Sequence, residues 1–259
     1  MIKKIHYCWF GGTMPNAVRC TVSHWRELNP DFEIHLHNED NIDVSGYEFG
    51  RRALREKKWG FLADIVRLQC LLEEGGFYLD ADIELLRPLS HLAPWENQLI
   101  LGYMYNCALG TAVCYAPPGH PYVRDILSKY EHIRHALWPV NNSIFTEYFI
   151  NRVPGFLLNG QEWENGHCKL FRKEFFEQPA FHRTAGMAIH HCCGSWKAAM
   201  SSSFNFNKTA SFRNHLCKWA SRRYRTWRAC RDNEFNAVYR AALKGKRLAF
   251  DASGYYQNK

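Results

Sequence analysis

The run Glu74-Gly75-Gly76-Phe77-Tyr78-Leu79-Asp80-Ala81-Asp82 constrains the fold more than any other part of this chain. Upstream of it, Phe61 to Glu74 place Leu62, Ile65, Val66, Leu68 and Leu72 at helical spacing, and Gly75-Gly76 suits the left-handed turn that ends a helix. Phe77-Tyr78-Leu79 then reads as a short, fully apolar strand with two aspartates at its end. A helix feeding a buried strand is one half of an α/β unit, and in such sheets ligands gather at the carboxyl ends of strands.

The rest of the chain repeats this alternation. Residues 2–9 read as a buried strand that Gly11-Gly12 end, Pro15 opens a helix to about Leu28, and Phe32 to Leu36 alternate as a second strand. A polar loop from Asn38 to Gly46 follows. Further strands are expected at 97–103 and 108–116, a helix from Pro121, a short helix at 144–152, and late strands at Lys169–Phe171 and Met187–Ile189. The pattern predicts an α/β fold with a mixed, mainly parallel sheet flanked by helices.

With 259 residues, 46% of them apolar and 22% charged, the chain can bury one sizeable core or a core plus an appendage. No stretch approaches the roughly 20 apolar residues of a membrane span, and the N-terminus shows no apolar signal region. The ten cysteines form no CxxC pair and no framework spacing, which argues against structural zinc and disulfide staples and for a reducing, cytoplasmic location.

Charge is unevenly spread. Residues 201–259 hold 13 Lys and Arg against 3 Asp and Glu, whereas residues 1–200 hold 20 against 22. The expectation is a catalytic domain at 1–200 and a basic helical extension at 201–259. Within the extension, residues 215–231 place Leu216, Trp219, Ala220, Tyr224 and Trp227 at helical spacing with arginines between them. Such a helix either packs its aromatic stripe on the body or lies on an anionic membrane surface, peripheral to the inner face of the cytoplasmic membrane.

Three constellations carry chemistry. Asp80 and Asp82 emerge together at a strand end, where hard oxygen ligands suit Mg²⁺ or Mn²⁺ and, through the ion, phosphate oxygens. Asp64 and Arg67, three apart, share a helix face; they form either an intrahelical ion pair or a carboxylate–guanidinium pair turned toward a sugar. Ile189-His190-His191-Cys192-Cys193-Gly194-Ser195-Trp196 brings two imidazoles, a hydroxyl and an indole N–H. A strand sends His190 and His191 to opposite faces, so one of them is expected at the metal.

These segments, with Lys4-Ile5-His6-Tyr7-Cys8-Trp9-Phe10-Gly11-Gly12, resemble glycosyltransferase family 32 over about residues 3 to 197. That family spans bacterial capsule and lipopolysaccharide sugar transferases, yeast-type mannosyltransferases and, distantly, clostridial glucosylating toxins. The resemblance implies a GT-A fold, a nucleotide-sugar donor, Mn²⁺ or Mg²⁺, and retention of configuration. It implies that Trp9 stacks on the base, Asn38 lies near the nucleoside, and Asp64 and Arg67 hold the sugar. Asp80 would meet ribose or sugar and the metal's water, and Asp82 the metal itself. His191 is the preferred histidine at the metal or diphosphate and His190 the second choice, with Ser195 and Trp196 on the diphosphate. Cys192-Cys193 and Asn141-Asn142-Ser143-Ile144-Phe145-Thr146, the latter in place of a Gly-Pro-rich segment, depart from the family pattern.

The function expected is transfer of a hexose or N-acetylhexosamine, UDP-linked before GDP-linked, to a glycan or lipid-linked glycan in surface polysaccharide synthesis. No side chain stands out as a nucleophile, so a front-face reaction is expected. The alternatives are a protein acceptor, as in the toxins, a metal-dependent hydrolase on Asp80, Asp82 and His191, and single-stranded nucleic acid on the arginine–aromatic tail. Confinement of positive charge to the tail, beside an acidic motif in the body, counts against nucleic acid.

Overall fold

The computed structural model describes residues 1–178, 186–192 and 212–257. A seven-stranded sheet is built from β1 (Lys4–Cys8), β2 (Glu33–His37), β3 (Gly76–Leu79), β5 (Leu99–Tyr105), β6 (Ala108–Ala116), β7 (Trp163–Glu164) and β8 (Cys168–Phe171), in the order β2-β1-β3-β6-β5-β8-β7. β1 pairs in parallel with β2 and β3, and β5 with β8, whereas β6 is antiparallel to both neighbours and β7 to β8. Five of the seven strands therefore point one way, and the expected mixed, mainly parallel sheet is present. β4 (Ile83–Leu85) and β9 (Ala188–His190) form a separate antiparallel pair.

The strand period of two divides the core. Ile5, Tyr7, Phe77 and Leu79 face one apolar cluster with Val18, Val22 and Trp25 of α1 (Asn16–Leu28). Cys8 and Tyr78 face the other, with α3 (Trp59–Glu73) and α5 (Asn141–Arg152). α2 (Glu48–Arg55) and α4 (Pro121–Lys129) pack against α3 on that side. α2 has no counterpart among the sequence expectations, and α5 begins three residues earlier than expected.

Glycines set two close approaches near the site. Gly76 has φ +103°, and a Cβ there would stand 2.8 Å from the Lys4 carbonyl oxygen, so β3 can pair with β1 only through glycine. At Gly110 on β6 a Cβ would lie 2.3 Å from Glu177 Oε1, so the bare backbone opens the space that the Glu177 carboxylate fills, just after α6 (Lys173–Phe176).

The C-terminal part is helical, as α7 (Phe212–Asp232) and α8 (Asn236–Ala242), but it is not packed as the aromatic stripe suggests. Tyr224 and Trp227 are 60% and 57% exposed, while Thr226 is buried and bonds Gln178. Beyond α7 the chain returns to the body: Phe235 and Val238 join the core, Phe250 N and O bond the Asn151 amide, and Tyr256 OH donates to Glu147. Among the described residues, no helix is long and apolar enough to cross a membrane.

Candidate nucleotide-sugar and metal site

Asp80 and Asp82 sit in the turn between β3 and β4. Asp80 N donates to Ala112 O on β6, and Ile83 N donates back to Asp80 O at 3.0 Å, closing the turn. α1 holds its far side: Trp25, fully buried, donates its indole N–H to Ile83 O at 2.8 Å, and His24 reaches Leu85 O. A turn fastened at both ends keeps two like-charged carboxylates together that would otherwise repel.

β9 delivers the third group. It pairs His190 with Ile83 and so sets the imidazole beside the carboxylates, with His190 Nε2 3.3 Å from Asp82 Oδ1. One donor atom each from Asp80, Asp82 and His190 lies within 4.8 Å of the others. His191, the histidine preferred from sequence, turns the other way: its Nε2 lies 3.0 Å from Glu84 Oε2, and its backbone N–H bonds Asp82 O. His190, the second choice from sequence, is the histidine that lies beside Asp80 and Asp82. The strand register decides it.

Behind His190 stands Glu177, which no sequence motif marks. Its Oε2 is 2.6 Å from His190 Nδ1 and accepts a hydrogen bond from that nitrogen, which leaves Nε2 aimed at Asp82. Burial favours the neutral imidazole, but Glu177 and the hydrogen bonds to Asp82 and Glu177 outweigh it and raise the His190 pKa well above its ordinary value. Two carboxylates and an imidazole whose second nitrogen is anchored by a carboxylate form a donor set that fits Mn²⁺ or Mg²⁺, with the cation displacing the proton that His190 Nε2 holds against Asp82.

Arg67 links this group to α3. Its Nη2 donates to Asp80 Oδ1 at 2.7 Å and lies 3.8 Å from Asp64 Oδ1, and its guanidinium covers the Tyr78 ring at 4.4 Å. The intrahelical contact is thus the longer of the two that Arg67 makes, and both Asp64 and Arg67 reach the cavity. Burial pushes Asp64 up to about 7, with Arg67 opposing, Asp80 adding and the Asn141 amide opposing. Asp80 is raised by burial too, against Arg67 and His190.

These groups face a cavity of about 390 Å³. Asp64, Arg67, Asp80, Asp82 and His190 form its polar floor, and Trp9, Phe10, Trp59 and Phe61 an aromatic wall. Trp59 stacks on Phe10 at 6.0 Å and lies over Gly11, where a Cβ would meet its indole nitrogen at 2.4 Å. Asn141 and Asn142, at the start of α5, complete the rim. Asn38 does not line the cavity; its Oδ1 accepts from Asp40 N in the turn after β2. Ser195 and Trp196 lie outside the described residues. Trp59, Asn141 and Glu177 are the additions that sequence reasoning did not supply.

Residues 15–101 match the family described as glycosyltransferase sugar-binding region containing DXD motif, a segment that holds Asp64, Arg67, Asp80 and Asp82. The resemblance to DXD-containing sugar transferases is thereby borne out. The chain is 27% identical over 150 residues to "Subversion of eukaryotic traffic protein A" of Legionella pneumophila, covering 43% of this chain and 23% of that protein. It is 26% identical over 146 residues to "Putative glycosyltransferase HOC1" of Saccharomyces cerevisiae, covering 47% of this chain and 37% of that protein. The chain thus spans well under half the length of either relative. Among solved structures, the "PaToxG Glycosyltransferase" superimposes with TM-score 0.49 at 16% identity over 59% of this chain and 69% of that one. The glycosyltransferase GlyE of Streptococcus pneumoniae superimposes with TM-score 0.47 at 11% identity, over 97% of this chain and 66% of that one.

Proposed function

We propose that the protein is a metal-dependent glycosyltransferase that moves a hexose or N-acetylhexosamine from a UDP-sugar to a glycan or lipid-linked glycan. The carrying observation is the convergence of Asp80, Asp82 and His190 beside Asp64 and Arg67 at one cavity, within a chain whose DXD segment matches sugar transferases. Asp82 and His190 would hold the cation, with Asp80 shared between it and Arg67. When bound, Mn²⁺ or Mg²⁺ would absorb charge on the departing diphosphate.

This chain's own residues do the rest. Trp9 offers its face to the base. Arg67, locked by two carboxylates and an aromatic ring, keeps a buried Nε free of hydrogen-bond partners among the described residues, a donor available to a ligand. Asp64 accepts from sugar hydroxyls, and the aromatic wall excludes water that would compete with the acceptor. A front-face attack, in which the acceptor hydroxyl enters beside the leaving group and gives its proton to the departing phosphate, needs no protein nucleophile and retains configuration.

The exposed face of α7 supports a place at an anionic membrane. Arg223, Arg228 and Arg231 flank the exposed Tyr224 and Trp227, and Arg231 lies 5.0 Å from the Trp227 ring centroid. A lipid-linked acceptor would be met there. A protein acceptor is the second reading.

A thermal-shift screen of nucleotide sugars with Mn²⁺, with Mg²⁺ and with neither tests the proposal. UDP-sugars should raise the Tm only when one of these ions is present, and addition of a glycolipid should then speed UDP release. Stabilisation by no nucleotide sugar, with either metal, would refute it.

A further inference from the structure

A second cluster of metal-ligating side chains lies on the α3 side of the sheet, among residues that do not line the DXD cavity. His6 on β1 is fully buried, His37 at the end of β2 is half-buried, and Cys70 on α3 is buried with a free thiol. One donor atom from each lies within 4.8 Å of the others. The DXD chemistry does not use them, and their spacing in sequence matches no zinc motif.

The hydrogen bonds define which lone pairs are available. His6 Nε2 lies 3.0 Å from the Gly75 carbonyl oxygen, and a carbonyl only accepts, so Nε2 carries the proton. Nδ1 of His6 then presents a lone pair, and it faces His37 Nε2 at 3.0 Å. That is the arrangement of a metal-binding histidine, whose second nitrogen donates to a backbone carbonyl and fixes ring and tautomer. Two imidazole nitrogens about 3 Å apart can share one tetrahedral ion, whose Zn–N bonds are about 2.0–2.1 Å.

We propose that His6, His37 and Cys70 form a second metal site, selective for a thiophilic divalent cation such as Zn²⁺, that fastens α3 to β1 and β2. Loading is balanced in protons. The Cys70 thiol, which donates to Arg67 O at 3.2 Å, gives its proton to solvent. His37 moves its proton from Nε2 to Nδ1, and His6 keeps its own on Gly75 O. The three protein donors leave a fourth position for water. Nitrogen and thiolate donors separate this site from the oxygen-rich DXD site, which suits Mg²⁺ or Mn²⁺.

The probe is Co²⁺, titrated into the full chain after chelator treatment under reducing conditions. One equivalent should produce thiolate-to-cobalt charge-transfer absorption in the near ultraviolet, and Zn²⁺ should abolish it by displacement. Asp82→Asn should retain the band, while His37→Gln and Cys70→Ser should lose it. X-ray absorption of the zinc-loaded chain should show one sulfur and two imidazoles, whichever variants fold. Absence of the band in the parent, its survival in a folded His37→Gln protein, or a zinc sphere of oxygens alone would overturn the proposal.

Discussion

Asp64 and Arg67 show how one buried pair can be separated into structural and chemical parts. Asp64 has a folded pKa of about 7 against an ordinary value of 3.8, raised first by burial. Between those values the folded state binds the extra proton, so this group destabilises the fold progressively as pH rises from about 4 to 7. Asp64→Asn should therefore leave the protein at least as stable at pH 8, with the gain shrinking as pH falls toward 4, while UDP-sugar turnover drops by about 10²-fold. Arg67→Ala strips the partner from two buried carboxylates and should cost roughly 3–5 kcal/mol. Chemical denaturation across pH beside steady-state kinetics reads both; unchanged turnover in Asp64→Asn would remove Asp64 from the sugar site. Glu177 is tested at the same scale. Glu177→Gln keeps the shape but lets the amide present either oxygen or nitrogen to His190, and should weaken Mn²⁺ binding by roughly 10–100-fold without a change of fold. Equal Mn²⁺ affinity in the two proteins would make Glu177 a packing residue only.

Among the elements, α7 departs furthest from the pattern of an amphipathic helix packed by its aromatic stripe. It meets the body through Thr226 and turns Tyr224 and Trp227 outward, because the Gln178 side chain gives the threonine hydroxyl both a donor and an acceptor. If the outward face serves a membrane, Tyr224→Ser with Trp227→Ser should reduce binding to anionic vesicles and leave Tm near that of the parent, since exposed sites contribute within about 0.5 kcal/mol. Each arginine on that face should add about 1 kcal/mol to binding. Vesicle flotation checks it, and binding unaffected by the double change would assign α7 another role. The same contrast marks what was legible beforehand. β1, α1, α3, β3 and β6 follow from runs of five or more patterned residues or from Gly and Pro punctuation. The three-residue strand β4 is too short to show a period, and β9, expected at Met187–Ile189, lies one residue later; the pairing of the two alone sets His190 rather than His191 beside the carboxylates. Glu177 and Trp59 enter through contacts distant in sequence, which no local motif records.

Across the whole molecule, the DXD turn, β9 and α3 converge because β3 ends where β6 and α1 can clamp it. The charge boundary near residue 200 is real in sequence, and we propose it as the edge of the catalytic domain, but the chain beyond α7 contributes to the body's core. Removal of everything after Ser201 would strip Phe235, which is fully buried, so point changes on α7 are the cleaner test of the tail. Fully burying a side chain of that size is worth about 1.5–3 kcal/mol. We propose that Asp82 and His190 hold a cation on which binding of the nucleotide sugar depends. Calorimetric titration of UDP into the protein with Mn²⁺, with EDTA, and in an Asp82→Asn variant tests it most directly. Tight binding should appear only in the parent with Mn²⁺ and weaken by about 10²-fold or more, roughly 3 kcal/mol, in the other two. Equal UDP affinity in all three would contradict the account.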